Sequence, residues 1–279
     1  MINNELHSKI ILNELEEDFT YSWGIEALNI PQVWNKTKGE GVKIATIDTG
    51  IDESHPDLKS FKLGINMFTK TKDVSDLYGH GSHVAGLLVG EKTGIAPEAE
   101  LYVAKVLDDN GNGSMASILD GITFAINFKI DVLCMSLGIR KGLPNILLER
   151  IMRAYEKGIT IVCATGNSGI NEVEYPAHLK EVIGVGGVGE DMRRTNFTNH
   201  GEGLDVLAPS TNIISTYKDN NYAIMSGTSM ASPFVAGQIA LLISYYRKQG
   251  IELSPIDIKK FIELSKTDSG MFDLTKIID

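Results

Sequence analysis

Three short stretches carry side chains whose types and spacing suit nucleophilic catalysis. Ser226-Gly227-Thr228-Ser229-Met230-Ala231-Ser232-Pro233 sets Ser229 among small residues, just before an apolar run at 234–246 that reads as a long helix. A hydroxyl at a helix start sits in the positive end of the helix dipole, where developing negative charge is stabilised. Such a serine is inert without a base. Tyr78-Gly79-His80-Gly81-Ser82-His83-Val84-Ala85-Gly86 supplies His80, at the head of a small-residue helix that leaves its imidazole unobstructed. Ile44-Ala45-Thr46-Ile47-Asp48-Thr49-Gly50 supplies Asp48 at the end of a mostly apolar strand, placed to orient that imidazole. The order Asp48, His80, Ser229 is one of the three known chain orders of a Ser-His-Asp triad.

The elements that must hold these groups follow from hydrophobic periodicity. Val- and Ile-rich runs predict strands at 42–47, 101–106, 132–135, 160–163, 182–185 and 205–207. Amphipathic segments between them predict helices at 83–88, 117–128 and 146–157. Strands apolar on both faces and interleaved with helices make an α/β protein, its mostly parallel sheet flanked by helices. Sheets of this kind gather their sites at the carboxyl ends of strands. Asp48 ends the first strand, Ser136 the third, and Asn167 follows the fourth, so the motif residues converge on one edge.

Bulk properties narrow the class. With 279 residues, 43% of them hydrophobic, the chain can bury a large core. No Pro/Ser-rich linker, low-complexity tract or repeat divides it, which predicts one domain at 21–279 behind an N-terminal extension at 1–20. A net charge of −10 argues against nucleic acid or an anionic membrane as partner. The start of the chain has no basic region followed by an apolar one, and no apolar run approaches membrane-spanning length, which points to the cytoplasm. Cys134 and Cys163 both lie in apolar runs and read as buried, reduced thiols. The oligomeric state is left open.

The three motifs, in this order, give the chain a resemblance to the subtilisin family of serine proteases, from about residue 21 to at least residue 249. The resemblance implies a three-layer fold and hydrolysis of peptide bonds in a peptide or protein substrate, with no cofactor for the chemistry. It implies that Asn167, in Ala164-Thr165-Gly166-Asn167, and the Ser229 backbone N–H stabilise an oxyanion. Substrate would lie as an extended strand between Ser136-Leu137-Gly138 and the glycine loop Gly111-Asn112-Gly113. The first subsite, which takes the residue before the cut, would be walled by 136–138 and by Ala164 to Gly166. Its floor falls just before Tyr175-Pro176, where this chain has Glu174. A desolvated carboxylate there would prefer Arg or Lys; turned to solvent in a shortened loop, it would not. Thr165, Ser82 and Phe234 replace a commoner Ala, Thr and His without touching the triad.

Two departures from secreted relatives stand out. The stretch 87–94 is short where those relatives wrap a tight calcium ion, and Glu91 is its single carboxylate, so that site is expected to be missing, with weaker calcium binding elsewhere left open. Intracellular subtilisins carry a short N-terminal extension that can lie across the cleft, and 10–15 is expected to do so here, although it lacks the proline typical there.

Rival readings fail on chemistry. Asp48-Thr49-Gly50 and Asp268-Ser269-Gly270 spell a pair of aspartic-protease signatures, but the second sits in a polar stretch unlike the buried surroundings a shared proton needs. His80 and His83 have no glutamate between them in a metalloprotease pattern. Gly184-Val185-Gly186-Gly187-Val188-Gly189 matches a dinucleotide fingerprint, yet 190–200 shows no helical period to cradle a phosphate. His55 and His178 are expected at the surface or in loops. Two physiological roles compete: general intracellular protein degradation, and trimming of a leader peptide after a basic residue, as in lantibiotic precursors. A relative that holds peptide without cutting it is disfavoured by the intact triad and Asn167.

Overall fold

The structure is a computed structural model that describes residues 8–15, 19–140 and 142–278. The strands are β1 (Ser8–Leu12), β2 (Lys43–Asp48), β3 (Phe61–Asn66), β4 (Glu100–Lys105), β5 (Val132–Met135), β6 (Thr160–Ala164), β7 (Val182–Val188), β8 (Val206–Pro209), β9 (Ile213–Thr216) and β10 (Tyr222–Ser226). The helices are α1 (Trp23–Ala27), α2 (Ile30–Val33), α3 (His80–Val89), α4 (Met115–Asn127), α5 (Asn145–Glu156), α6 (Thr228–Arg247) and α7 (Pro255–Ser265).

Seven strands form a parallel sheet in the order β3-β4-β2-β5-β6-β7-β8. Alternate side chains of its buried strands feed two separate cores. Ile44 packs with α3 and α6, whereas Ala45 and Ile47 pack with α4 and α5. The period of two in a strand thus produces three layers. Cys134 and Cys163 fall in opposite cores, which keeps the two free thiols apart. The chain leaves β2 toward one edge of the sheet and leaves the adjacent β5 toward the other, so the crevice at their carboxyl ends is the topological switch point.

α6 is buried from Thr228 to Ser244 and runs under β5 to β8. Its far end is fixed by Arg247, whose Nη2 meets Asp131 Oδ1 at 2.7 Å. Pro233 lies inside this helix and has no N–H, so the carbonyl four residues earlier, that of Ser229, loses its helical donor. Ser136 replaces the missing donor: its Oγ donates to Ser229 O at 3.0 Å. The end of β5 is thereby tied to the start of α6.

The segment 182–188 is the buried strand β7, followed by a turn rather than a helix. A Cβ at Gly184 would collide with the Gly203 carbonyl, so its glycine serves close backbone packing. Three further strands, β1, β10 and β9, form a small antiparallel sheet, with Ser8 opposite Ser226 and Leu12 opposite Tyr222. Among the described residues, no helix is long and apolar enough to cross a membrane.

Candidate active site

β2 delivers Asp48 to the switch point, and α3 begins beside it with His80. Both are fully buried, and Asp48 Oδ1 stands 2.8 Å from His80 Nδ1. A carboxylate there requires Nδ1 to carry the proton, which leaves the lone pair on Nε2. The same Oδ1 accepts the Thr49 N–H at 2.7 Å.

A second buried carboxylate, not recognised in the sequence, holds this pair in register. Asp76 Oδ1 accepts from the Thr49 hydroxyl (2.8 Å) and the Gly79 N–H (2.7 Å). Its Oδ2 accepts from the Ser82 N–H (2.8 Å) and hydroxyl (2.7 Å). Asp76 therefore joins the residue after Asp48 to residues on both sides of His80. Burial alone would push the His80 imidazole down. The charge of Asp48, its hydrogen bond and the charge of Asp76 outweigh that and raise it above the ordinary histidine value.

Ser229 occupies the first turn of α6 behind Gly227, and its Oγ donates to the Ser136 carbonyl at 3.3 Å. Ser136 is itself fully buried, its hydroxyl shared between Ser229 O and Ser232 Oγ. It braces the serine from within, while Leu137 and Gly138 go on to line the pocket. Asn167 leaves β6 through Gly166, and its Oδ1 accepts both the Thr228 N–H (2.8 Å) and the Thr228 hydroxyl (2.9 Å). A backbone N–H only donates, so the side-chain atom facing it is oxygen. The amide is thus oriented with its NH2 as the donor end. The thiols cannot compete as nucleophiles: burial pushes Cys134 up to about 12 and Cys163 well above its usual range.

Leu137, Gly138, Ala164, Gly166, Asn167, Glu174 and Ser229 line one pocket. Glu174 does not face solvent; its side chain is 10% exposed and lies against the backbones of both strand-end loops. A Cβ at Gly138 would collide with Glu174 Oε2, and one at Gly166 (φ +103°) would stand 2.7 Å from Glu174 Cδ. The two glycines are what admit the acid. Arg140, which sequence reasoning overlooked, joins the same pocket with its Nε 3.2 Å from Glu174 Oε1. Gly111 and Gly113 stand elsewhere, in a turn beside the Tyr78 ring, and do not line this pocket.

The remaining histidines are accounted for. His83 is buried, with Nε2 at 3.1 Å from Ile213 O and 3.0 Å from Ala223 O, and burial holds it down at about 3. His55, expected at the surface or in a loop, lies in a loop and is buried, its Nε2 2.9 Å from Asn221 O and its ring edge-on against Tyr222. His178 is half-buried beside the Tyr175 ring.

In the stretch 87–94 the polar groups have partners of their own. Its donors, the Lys92 N–H at 2.6 Å and the Thr93 hydroxyl at 3.1 Å, both point at the buried Asp57 carboxylate, and Glu91 is paired with Lys59.

A parallel α/β sheet with an Asp–His pair at its switch point, and a serine heading the buried helix alongside, defines a serine hydrolase. Residues 39–277 match the family model for the subtilase family, and the chain belongs to that family. It is 41% identical over 251 residues to the major intracellular serine protease of Bacillus subtilis strain 168, spanning 84% of this chain and 76% of that one. Against the intracellular serine protease of Paenibacillus polymyxa it is 41% identical over 234 residues, 78% of this chain and 72% of the relative. Subtilisin Savinase of Lederbergia lenta is 37% identical over 259 residues, 90% of this chain and 93% of the relative. The protein is a subtilisin-like serine endopeptidase, a hydrolase acting on peptide or protein substrates.

Proposed function

We propose that Ser229 is the nucleophile, His80 the general base and Asp48 the group that orients it. His80 Nε2 takes the hydroxyl proton as Ser229 Oγ bonds to the peptide carbonyl carbon. The developing oxyanion is met by the Asn167 NH2 and the Ser229 N–H. The imidazolium then gives its proton to the departing amine as the C–N bond breaks, and water releases the acyl-enzyme by the reverse sequence. The observation that supports this assignment is the 2.8 Å Asp48–His80 contact beside a serine at a helix N-terminus.

For specificity we infer cleavage after Arg or Lys, supported by the Glu174 carboxylate in the wall of the pocket that adjoins Ser229. This favours a processing role in which a leader or precursor is cut at a basic residue in the cytoplasm. General intracellular protein degradation is the second reading, favoured by relatives that are themselves intracellular serine proteases. A mass-spectrometric map of cuts across a peptide library, varied at the residue before the scissile bond, decides between them. Cuts confined to Arg and Lys support processing, whereas cuts after many apolar residues support degradation. The Ser229→Ala protein, folded and free of contaminants, is expected to give no cuts; retained cleavage would sink the nucleophile assignment.

A further inference from the structure

The pocket beside Ser229 is built around an acid and is nearly filled by its own side chains. The space left in it is about 10 Å³, enough for one water and far short of an arginine or lysine side chain. Most of its wall cannot yield. Ala164 ends a buried strand, and Gly138 and Gly166 press their backbones against Glu174. Arg140 is different. It follows Ile139, which is bridged to Tyr175; its side chain is 45% exposed, and it is joined to Glu174 by a 3.2 Å ion pair. A pair with one partner so open to water is held weakly and reforms easily.

We propose that Arg140 is a displaceable gate of the first subsite, holding the place of the substrate's cation until an Arg or Lys side chain replaces it. The proposal rests on Glu174 being the acid of that subsite. Exchange of cation for cation keeps the Glu174 carboxylate paired throughout. A neutral side chain would have to evict Arg140 without returning a cation to that carboxylate. The gate therefore weakens apparent affinity for every side chain by the same factor, because the open form is a fraction of the whole, and leaves the choice between basic and neutral residues to the Glu174 carboxylate.

The test uses the full chain carrying Ser229→Ala, so that no turnover is needed, and titrates p-aminobenzamidine, a small amidinium cation, by its fluorescence. Adding Arg140→Ala, and separately Arg140→Gln in case the first impairs folding, is expected to tighten binding about fivefold. Adding Glu174→Gln is expected to abolish binding of the cation. Unchanged or weaker binding in both Arg140 variants, with Glu174→Gln still abolishing it, overturns the gate and leaves the acid in place. Undiminished binding in Glu174→Gln overturns the acid, and the gate with it. In active protein, the Arg140 variants are expected to lower KM for peptides with Arg before the cut, whereas Glu174→Gln lowers the ratio of kcat/KM for Arg over Leu.

Discussion

The imidazole of His80 faces Asp48 through a hydrogen bond, Asp76 across the Thr49 hydroxyl, and the neutral His83 three residues along the same helix. Its raised pKa means that the base stays protonated to a higher pH than an ordinary histidine, so kcat/KM falls as pH drops through a value above 6.5. Asp76→Asn removes one of the two charges that raise it. The acid limb is then expected to move to lower pH. The amide also keeps one acceptor oxygen where the carboxylate had two, so either the Gly79 side or the Ser82 side of His80 loses its anchor. A displaced base costs about tenfold to a hundredfold in kcat. Profiles of kcat/KM against pH for the two proteins check this; a lower rate with an unmoved limb would make Asp76 a scaffold and nothing more. Such roles were only partly legible in the sequence. The triad and Asn167 announce themselves through small-residue motifs, whereas Asp76 and Arg140 acquire meaning only from partners that the fold brings to them.

Element boundaries show where periodicity fails. The buried strands of the central sheet stand out because both faces are apolar, and β5 matches its expected span, 132–135. α3 starts at His80, as the small-residue motif implies, although the apolar period begins only at 83, because His80-Gly81-Ser82 is buried by contacts that carry no apolar signal. α6 likewise starts at Thr228 rather than at the apolar run from 234, since Ser229 and Ser232 are packed as polar groups with their own partners. β3 is an edge strand, half-buried and bulged between Phe61 and Leu63, which erases its alternation. β1 pairs with the edge of β10 and ends with Ser8 opposite Ser226, three residues before Ser229. Of the segment expected across the cleft, Ile10 and Ile11 are 57% and 50% exposed, so backbone pairing and the Lys9–Tyr217 hydrogen bond (2.9 Å) are its main attachments. Extended substrates dock on such edges, and a tethered strand competes at an effective concentration of order mM. Deleting residues 1–12 is therefore expected to raise kcat/KM about tenfold. A synthetic peptide of that sequence, added back at about mM concentration, should reverse the gain. Equal activity of the two proteins on one peptide substrate would show that β1 covers nothing the substrate needs.

Across the whole molecule, α3 couples the catalytic end of the sheet to the small sheet through His83, whose Nε2–H is shared by carbonyls of β9 and β10. Its Nδ1 is buried with no hydrogen-bond partner among the described residues, so a proton there would become an orphan donor in the core. Burial, with the charge of His80 adding to it, makes the folded state refuse the proton down to about 3. The unfolded chain accepts it near 6.5, so between these values the unfolded state binds more protons and stability falls as pH falls, by about 1.4 kcal/mol per unit. His80 acts in the opposite sense. Its raised value contributes stability that is fully present below 6.5 and lost as pH rises through the folded pKa. The two effects overlap in the wild-type curve, and a His83→Gln variant in the Ser229→Ala background separates them. Glutamine can donate to one of the same carbonyls but does not titrate. The variant is expected to be less stable near neutrality, with the gap to its parent narrowing by about 1.4 kcal/mol per pH unit from roughly 6.5 to 4. Urea unfolding at stepped pH measures that gap. If it stays constant, His83 takes its proton in the folded state as readily as in the unfolded chain, and the bridge to β9 and β10 tolerates a charge.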